Sequence, residues 1–296
     1  MNYCLGTVQF GMNYGIQNNG RPNLELVFSM LDEAISNGVF SFDTAMAYGN
    51  AEQILGEYIC DRKINKDYIK IITKGKSQSS SQITIDDIKK SIGNMHIDKL
   101  YGFLFHDSSV VYSSDSMTLL NRIKKDGYAE NVGVSIYTPD EALKALEYDV
   151  DIIQIPYNLF DSRLDKVDFF KKAKEKNIEI YARSSLLQGL VLMDYNQLPS
   201  NVSFAKDYLV KFDELCRKYN VAKLNAAVNY VSSNEYIDYI VFGTDNMRQL
   251  LEYLSIKDTS LPIEFIKEIK EAFSDVSEKL VNPTLWESLM FKEVNL

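Results

Sequence analysis

Eight short runs rich in β-branched and aromatic residues recur along the chain, each separated from the next by a longer helical pattern. The runs are Cys4–Gln9, Val39–Thr44, Tyr68–Lys74, Leu100–His106, Glu130–Ser135, Asp151–Ile155, Ile178–Arg183 and Tyr239–Phe242. Between them apolar residues return at helical spacing, as in Leu24-Val27-Leu31-Ala34-Ile35 and Ile83-Ile88-Ile92. Regular alternation of this kind implies parallel strands joined by right-handed crossovers. An open doubly wound sheet and a closed (β/α)8 TIM barrel both satisfy it. The count of eight and the length of 296 residues favour the barrel. So does the first turn: Gly6-Thr7-Val8-Gln9-Phe10-Gly11 is not the Gly-x-Gly-x-x-Gly phosphate loop of a dinucleotide-binding sheet.

The interval from Arg183 to Phe242 is too long for one unit and leaves room for an extra helix around Phe204–Tyr219. Another helix reads over Pro262–Ser274, before a less regular Asn282-Pro283-Thr284-Leu285-Trp286 segment. Pro139 ahead of Asp140-Glu141 reads as a helix opening, since proline fits the first helical position and acids favour the first turn. The expectation is one barrel domain over 1–296, with a core of about 3–256 and a C-terminal helix and tail over 257–296.

A composition of 46% hydrophobic and 25% charged residues describes a chain able to bury a large core without staples. A net charge of −9 argues against a nucleic-acid partner. Three scattered cysteines without metal-ligand spacing argue against zinc and suit a reducing compartment. No long apolar run or signal-like start is present, so the protein is expected in the cytoplasm, away from membranes.

Three polar residues close consecutive runs: Asp43, Lys74 and His106, with Tyr48 five residues after the aspartate. In a barrel the C-terminal strand ends carry the working residues. An acid, a base, an imidazole and a phenol at one rim are the parts of a proton-transfer site. A desolvated lysine and aspartate need partners, and Asp43 and Lys74 can neutralise one another. The residual field of Lys74 is expected to lower the pKa of Tyr48, as a proton donor needs. His106 could polarise a carbonyl. The suggested chemistry is protonation of a developing alkoxide, with hydride supplied by a cofactor.

The stretch Phe42-Asp43-Thr44-Ala45-Met46-Ala47-Tyr48-Gly49-Asn50-Ala51-Glu52, with Leu55-Gly56, resembles the signature of the aldo-keto reductase superfamily. Thr73-Lys74, Leu104-Phe105-His106-Asp107, Gly133-Val134-Ser135, Gln154-Ile155-Pro156-Tyr157-Asn158-Leu159, Leu187-Gln188-Gly189-Leu190 and Val241-Phe242-Gly243-Thr244 continue it in register. The resemblance implies a (β/α)8 barrel that reduces aldehydes and ketones with NADPH. It implies Tyr48 as proton donor, Lys74 and Asp43 as its tuning pair, and His106 as the residue that orients the carbonyl. It further implies Ser135 and Gln154 on the nicotinamide carboxamide, Gly6 and Thr7 near the cofactor, and Ser184 and Leu186 near its pyrophosphate. Gly243, Thr244, Asp245 and Gln249 fall in the adenine-ribose stretch.

Some positions depart from the family pattern. Ile136 follows Ser135 where an asparagine is common. Arg183 stands where many members stack a tyrosine on the nicotinamide, and a guanidinium can also stack while bringing a charge. Asp245 would repel a 2′-phosphate or accept a ribose hydroxyl, with Arg248 nearby to compensate. NADP(H) is therefore favoured narrowly over NAD(H). A short segment after His106 suggests an open cleft, and Gly11-Met12-Asn13-Tyr14-Gly15-Ile16 resembles members associated with sugar metabolism, which implies a sugar-like carbonyl substrate. Tyr14, Tyr157, Phe160, Tyr195 and Trp286 are candidate pocket residues. The alternative is a nicotinamide-binding regulatory protein on the same barrel, since fold does not imply function. A metal-dependent hydrolase lacks the ligands, with two histidines in separate contexts.

Overall fold

The computed structural model describes residues 2–16, 20–257 and 259–286. Eight parallel strands close on themselves in chain order. They are β1 (Tyr3–Gly6), β2 (Ser41–Asp43), β3 (Lys70–Gly75), β4 (Leu100–Phe105), β5 (Ala129–Ser135), β6 (Ile152–Pro156), β7 (Glu179–Arg183) and β8 (Tyr239–Gly243). Closure is made by β1 against β8, pairing Cys4 with Val241 and Gly6 with Gly243. The expected barrel is therefore the observed fold.

Around it lie α1 (Val8–Gly11), α2 (Leu24–Ser36), α3 (Ala51–Asp61), α4 (Ser81–Asn94), α5 (Ser114–Lys125), α6 (Pro139–Ala145) and α7 (Phe169–Glu175). After β7 come α8 (Lys206–Tyr219) and α9 (Lys223–Ser232), and after β8 come α10 (Met247–Leu254), α11 (Ile263–Ala272) and α12 (Glu278–Val281). Several helices start where a side-chain cap satisfies a free N–H group. Thr138 and Glu141 form a reciprocal capping box around Pro139, and Asn23 and Ser80 cap α2 and α4.

One expectation needs correction. The first strand ends at Gly6 rather than Gln9, because the N–H and hydroxyl of Thr7 both donate to the Asp43 carbonyl and the chain then coils into α1. The long interval after β7 holds the expected extra helix as α8, which stops where Asn220 takes a left-handed conformation (φ 52°) before α9 begins. The C-terminal helix is present as α11, whereas residues 287–296 of the expected tail lie outside the described residues.

Alternation along the strands stacks the barrel interior in layers. Cys4, Ile72, Leu104, Ile152, Tyr181 and Val241 form an apolar middle. At the N-terminal end, Lys70 Nζ donates to the hydroxyls of Tyr101 and Tyr239, both at 3.0 Å, and Tyr101 donates to Glu179 at 2.8 Å. A period of two along β3 and β7 then carries Lys74 and Arg183 to the opposite end, four residues beyond Lys70 and Glu179. The floor is closed by a paired polar cluster, and the C-terminal rim carries Asp43, Lys74 and Arg183.

Candidate active site

Asp43 and Lys74 end neighbouring strands and are 5% and 1% exposed. Lys74 Nζ donates to Asp43 Oδ1 at 2.5 Å, and Gln154 Nε2 donates to the same oxygen at 2.7 Å. Ser135 Oγ lies 3.5 Å from Gln154 Oε1. A buried cation is thus met by a carboxylate, and the carboxylate by a second donor, as charges removed from water require.

Tyr48 sits in the turn between β2 and α3. The turn is pinned by contacts that leave no room for side chains: a Cβ on Gly11 would lie 1.8 Å from the Tyr48 carbonyl oxygen, and one on Gly49 (φ +58°) 2.2 Å from the Gly11 oxygen. The Tyr48 ring meets His106 edge-on, centroids 5.9 Å apart, with Lys74 Nζ 5.2 Å from the ring centre. Burial pushes the phenol well above the ordinary tyrosine range, the Asp43 charge adds to this, and Arg183 opposes it. The expected acidification of Tyr48 by Lys74 is therefore not realised here. The ammonium is spent on Asp43, and the phenol is held firmly protonated.

His106, the first residue beyond β4, donates its backbone N–H to the Gly75 carbonyl at 2.8 Å. Burial pushes its imidazole down to about 4, helped by the charges of Lys74, Arg183 and Lys76 against that of Asp43. The ring is neutral near pH 7 and can donate one N–H to a carbonyl oxygen. A cavity of about 360 Å³ runs from this point between α3 and α4, reaching Lys74 and His106 at one end and Asp87 and Lys90 at the other.

The remaining candidates share the same rim. Gly6 ends β1 and Thr7 follows it, and Ser135 and Gln154 lie on β5 and β6. Arg183 and Ser184 follow on β7, the arginine donating to Ser184 Oγ at 3.3 Å and to the Ile136 carbonyl at 3.1 Å. Ser184, Leu187 and Gln188 take left-handed backbone conformations that cost non-glycine residues energy, and Leu186 lies between them. Gln188 Nε2 reaches Tyr14 Oη at 3.3 Å, linking this loop to the one after β1. At the end of β8, Gly243 is exposed, and Thr244 beyond it is buried; Asp245 accepts from Asn246 Nδ2 at 2.6 Å, and its N–H donates to Gln249 Oε1 at 3.2 Å. Arg248 does not reach Asp245 as a compensating charge: it faces Glu252 at 3.6 Å and is 84% exposed.

Several aromatic pocket candidates lie elsewhere. Tyr157 packs against Tyr230 and Phe170 with its hydroxyl on Asp165, and Phe160 is buried against Phe273. Tyr195 lies against Lys223. Trp286 is buried and donates to the Lys279 carbonyl at 2.6 Å, which anchors the C-terminal segment. Two contributors went unread in the sequence. Tyr137 supports Arg183, whose guanidinium carbon stands 4.3 Å from its ring centre. Glu52 is buried and accepts from Thr73 and Ser91, tying α3 to β3 and α4. Glu52 lies within the signature stretch, but the role of each depends on a partner brought in from a different strand or helix.

The aldo/keto reductase family profile matches residues 3–273. The chain belongs to the aldo/keto reductase family. Its relatives include a glyoxal reductase of Bacillus subtilis, 28% identical over 62% of this chain and 65% of that protein, just under two thirds of its length. An uncharacterized oxidoreductase of the same organism, YrpG, is 22% identical over 91% of both chains. The holo form of aldo-keto reductase AKR11C1 from Bacillus halodurans superposes with a TM-score of 0.74 over 97% of this chain and 94% of that one, at 17% identity. Such a likeness carries the fold. Among the described residues no helix is long and apolar enough to cross a membrane, and no cluster of side chains has a metal-binding arrangement.

Proposed function

We propose that this aldo/keto reductase reduces an aldehyde or ketone to an alcohol with NAD(P)H, Tyr48 giving the proton. The observation that carries the reading is the convergence of a half-buried, protonated Tyr48, a neutral His106 and a neutralised Lys74–Asp43 pair at one strand-end rim. The family acts on small carbonyl compounds and binds nicotinamide cofactors.

The rim fits such a cofactor. Gly243 lies bare at the surface, where a Cβ would come within 2.6 Å of Gln9 Oε1, a buried acceptor with no protein partner. Ser135 and Gln154 offer hydroxyl and amide groups to a carboxamide, with Gly6 and Thr7 beside them. Ser184, Leu186 and the first turn of α10 border the path a pyrophosphate and ribose would take. The cofactor, when bound, supplies hydride. His106 donates a hydrogen bond to the carbonyl oxygen and fixes its direction. Tyr48 passes its phenolic proton to that oxygen as negative charge develops there. Lys74 and Asp43 hold the rim rigid and dry around the phenol.

Asp245 governs the choice between NADPH and NADH. Its carboxylate stands uncompensated at the start of α10 and discounts the 2′-phosphate that the family implies. The barrel core over 3–256 and its C-terminal helix act as one domain in this reading, in the cytoplasm, on a sugar-like or other small polar carbonyl compound.

The test is oxidation of NADPH and NADH in parallel with a reactive dicarbonyl, on wild type and Asp245→Ser. Turnover with at least one cofactor is expected, and the serine variant should raise NADPH relative to NADH about tenfold. A protein that binds either cofactor tightly yet turns over no reactive carbonyl would instead be a cofactor-binding regulator.

A further inference from the structure

We infer that Arg183 makes the site discriminate against the oxidised nicotinamide, so that the reduced cofactor is loaded and the spent one expelled. The inference rests on the reading above, since it places a nicotinamide cofactor beside Tyr48 and His106.

Arg183 is a cation of the rim with no paired carboxylate among the described residues. Its guanidinium donates to two neutral acceptors, the Ile136 carbonyl and Ser184 Oγ, and stacks on Tyr137. No carboxylate among the described residues lies within ion-pair distance of it. Lys74, in contrast, is cancelled by Asp43 at 2.5 Å, and His106 is neutral. Lys76 also faces the imidazole, but it is exposed and water screens it. The positive field of Arg183 extends to Tyr14, Tyr48 and His106 alike.

Hydride transfer fixes where the ring must be. Its donor carbon has to come within roughly 3–3.5 Å of the carbonyl carbon. That carbonyl oxygen must also lie within hydrogen-bond reach of Tyr48 or His106. The ring therefore enters the field that already reaches both side chains. Reduced nicotinamide is neutral and oxidised nicotinamide carries one positive charge. A fixed cation nearby repels only the second.

During turnover this repulsion is balanced. A bound cofactor would supply a hydride, one proton with two electrons, to the carbonyl carbon, and its ring would be left with one positive charge. The phenolic proton moves to the carbonyl oxygen, leaving Tyr48 as a phenolate that Arg183 attracts. The total charge at the rim is unchanged. In the complex of protein and cofactor alone Tyr48 keeps its proton, and the repulsion stands unopposed. The bias thus acts at loading and release, the steps that set which direction is productive when both cofactor forms are present.

The test is titration calorimetry of the oxidised and reduced forms, using whichever of the NADH or NADPH couples wild type binds more tightly. Wild type should bind the reduced form more tightly. Arg183→Met should shrink the ratio of the two dissociation constants about tenfold, which is about 30 mV in the midpoint of the bound couple. Arg183→Lys keeps the charge and should keep most of the ratio. Equal ratios in wild type and Arg183→Met would overturn the inference. So would equal loss in both variants, which would trace the effect to stacking shape instead of charge. Circular dichroism of each variant guards against misfolding. Failure of both cofactor forms to bind wild type would remove the cofactor reading itself, a different outcome from equal binding of the two.

Discussion

At the scale of single residues, the rim separates protonation states by burial and by pairing. His106 is pushed down to about 4 by burial and by neighbouring cations, so it stays neutral across the range where enzymes work. Its folded pKa lies below the ordinary 6.5, so the unfolded chain takes up its proton first as pH falls. The stability that His106 contributes is present above about pH 6.5 and is lost as pH falls toward 4. Activity should follow the same group: kcat/KM should be flat from about pH 5.5 to 8 and fall only as pH approaches 4. A break near pH 6.5 in kcat/KM, abolished in His106→Gln, would show that the imidazole is not held neutral. That Asp43, Tyr48, Lys74 and His106 meet at one rim was readable in the sequence, because each follows or ends a strand and barrel strands point one way. The protonation of Tyr48 was not. Reading it requires knowing that Lys74 Nζ and Gln154 Nε2 both converge on one oxygen of Asp43.

At the scale of elements, the Tyr48 turn is held by backbone packing. Gly11 in α1 and Gly49 in the turn touch at distances no Cβ allows, and the Tyr48 carbonyl accepts the Ala51 N–H at the start of α3. Gly11→Ala should therefore displace the turn and lower kcat by about tenfold or more, since small misplacements of a reacting group are costly. The fold should survive, because α1 lies at the barrel mouth. Crystal structures and kinetics of that variant would check it, and unchanged kcat would show that the turn is not the element that sets Tyr48. The sequence pattern placed seven of the strands closely, but it ran β1 three residues too far. Val8, Gln9 and Phe10 look like strand residues by type. What bends them into α1 is a tertiary bond, from Thr7 to the Asp43 carbonyl. The extra helix before β8 was legible because the interval is too long for one strand-helix unit, and it ends as α8 at the left-handed Asn220.

At the scale of the whole molecule, the closed barrel divides into a sealed floor, an apolar middle and a charged mouth. The floor is a cluster in which Glu179 accepts from Tyr101, and Lys70 lies over the Tyr101 and Tyr239 rings at 4.3 and 5.3 Å. Glu179→Ala would strand the Tyr101 hydroxyl and remove the countercharge, costing about 1–3 kcal/mol in denaturant unfolding. It should leave activity near wild type, because the floor is separated from the rim by the apolar layer. Loss of activity without loss of stability would contradict that separation. Strand order and closure were legible because eight alternating units leave few alternatives. The floor was not legible, since Lys70, Tyr101, Glu179 and Tyr239 come from four strands and none forms a motif.

The most direct test of the proposed chemistry compares wild type with Tyr48→Phe in single-turnover reduction of a reactive aldehyde, with cofactor affinity measured on the same samples. The account predicts that the variant keeps cofactor binding within about threefold and loses at least about a thousandfold in the reduction rate. A variant that still reduces the aldehyde at near the wild-type rate would show that the proton comes from elsewhere.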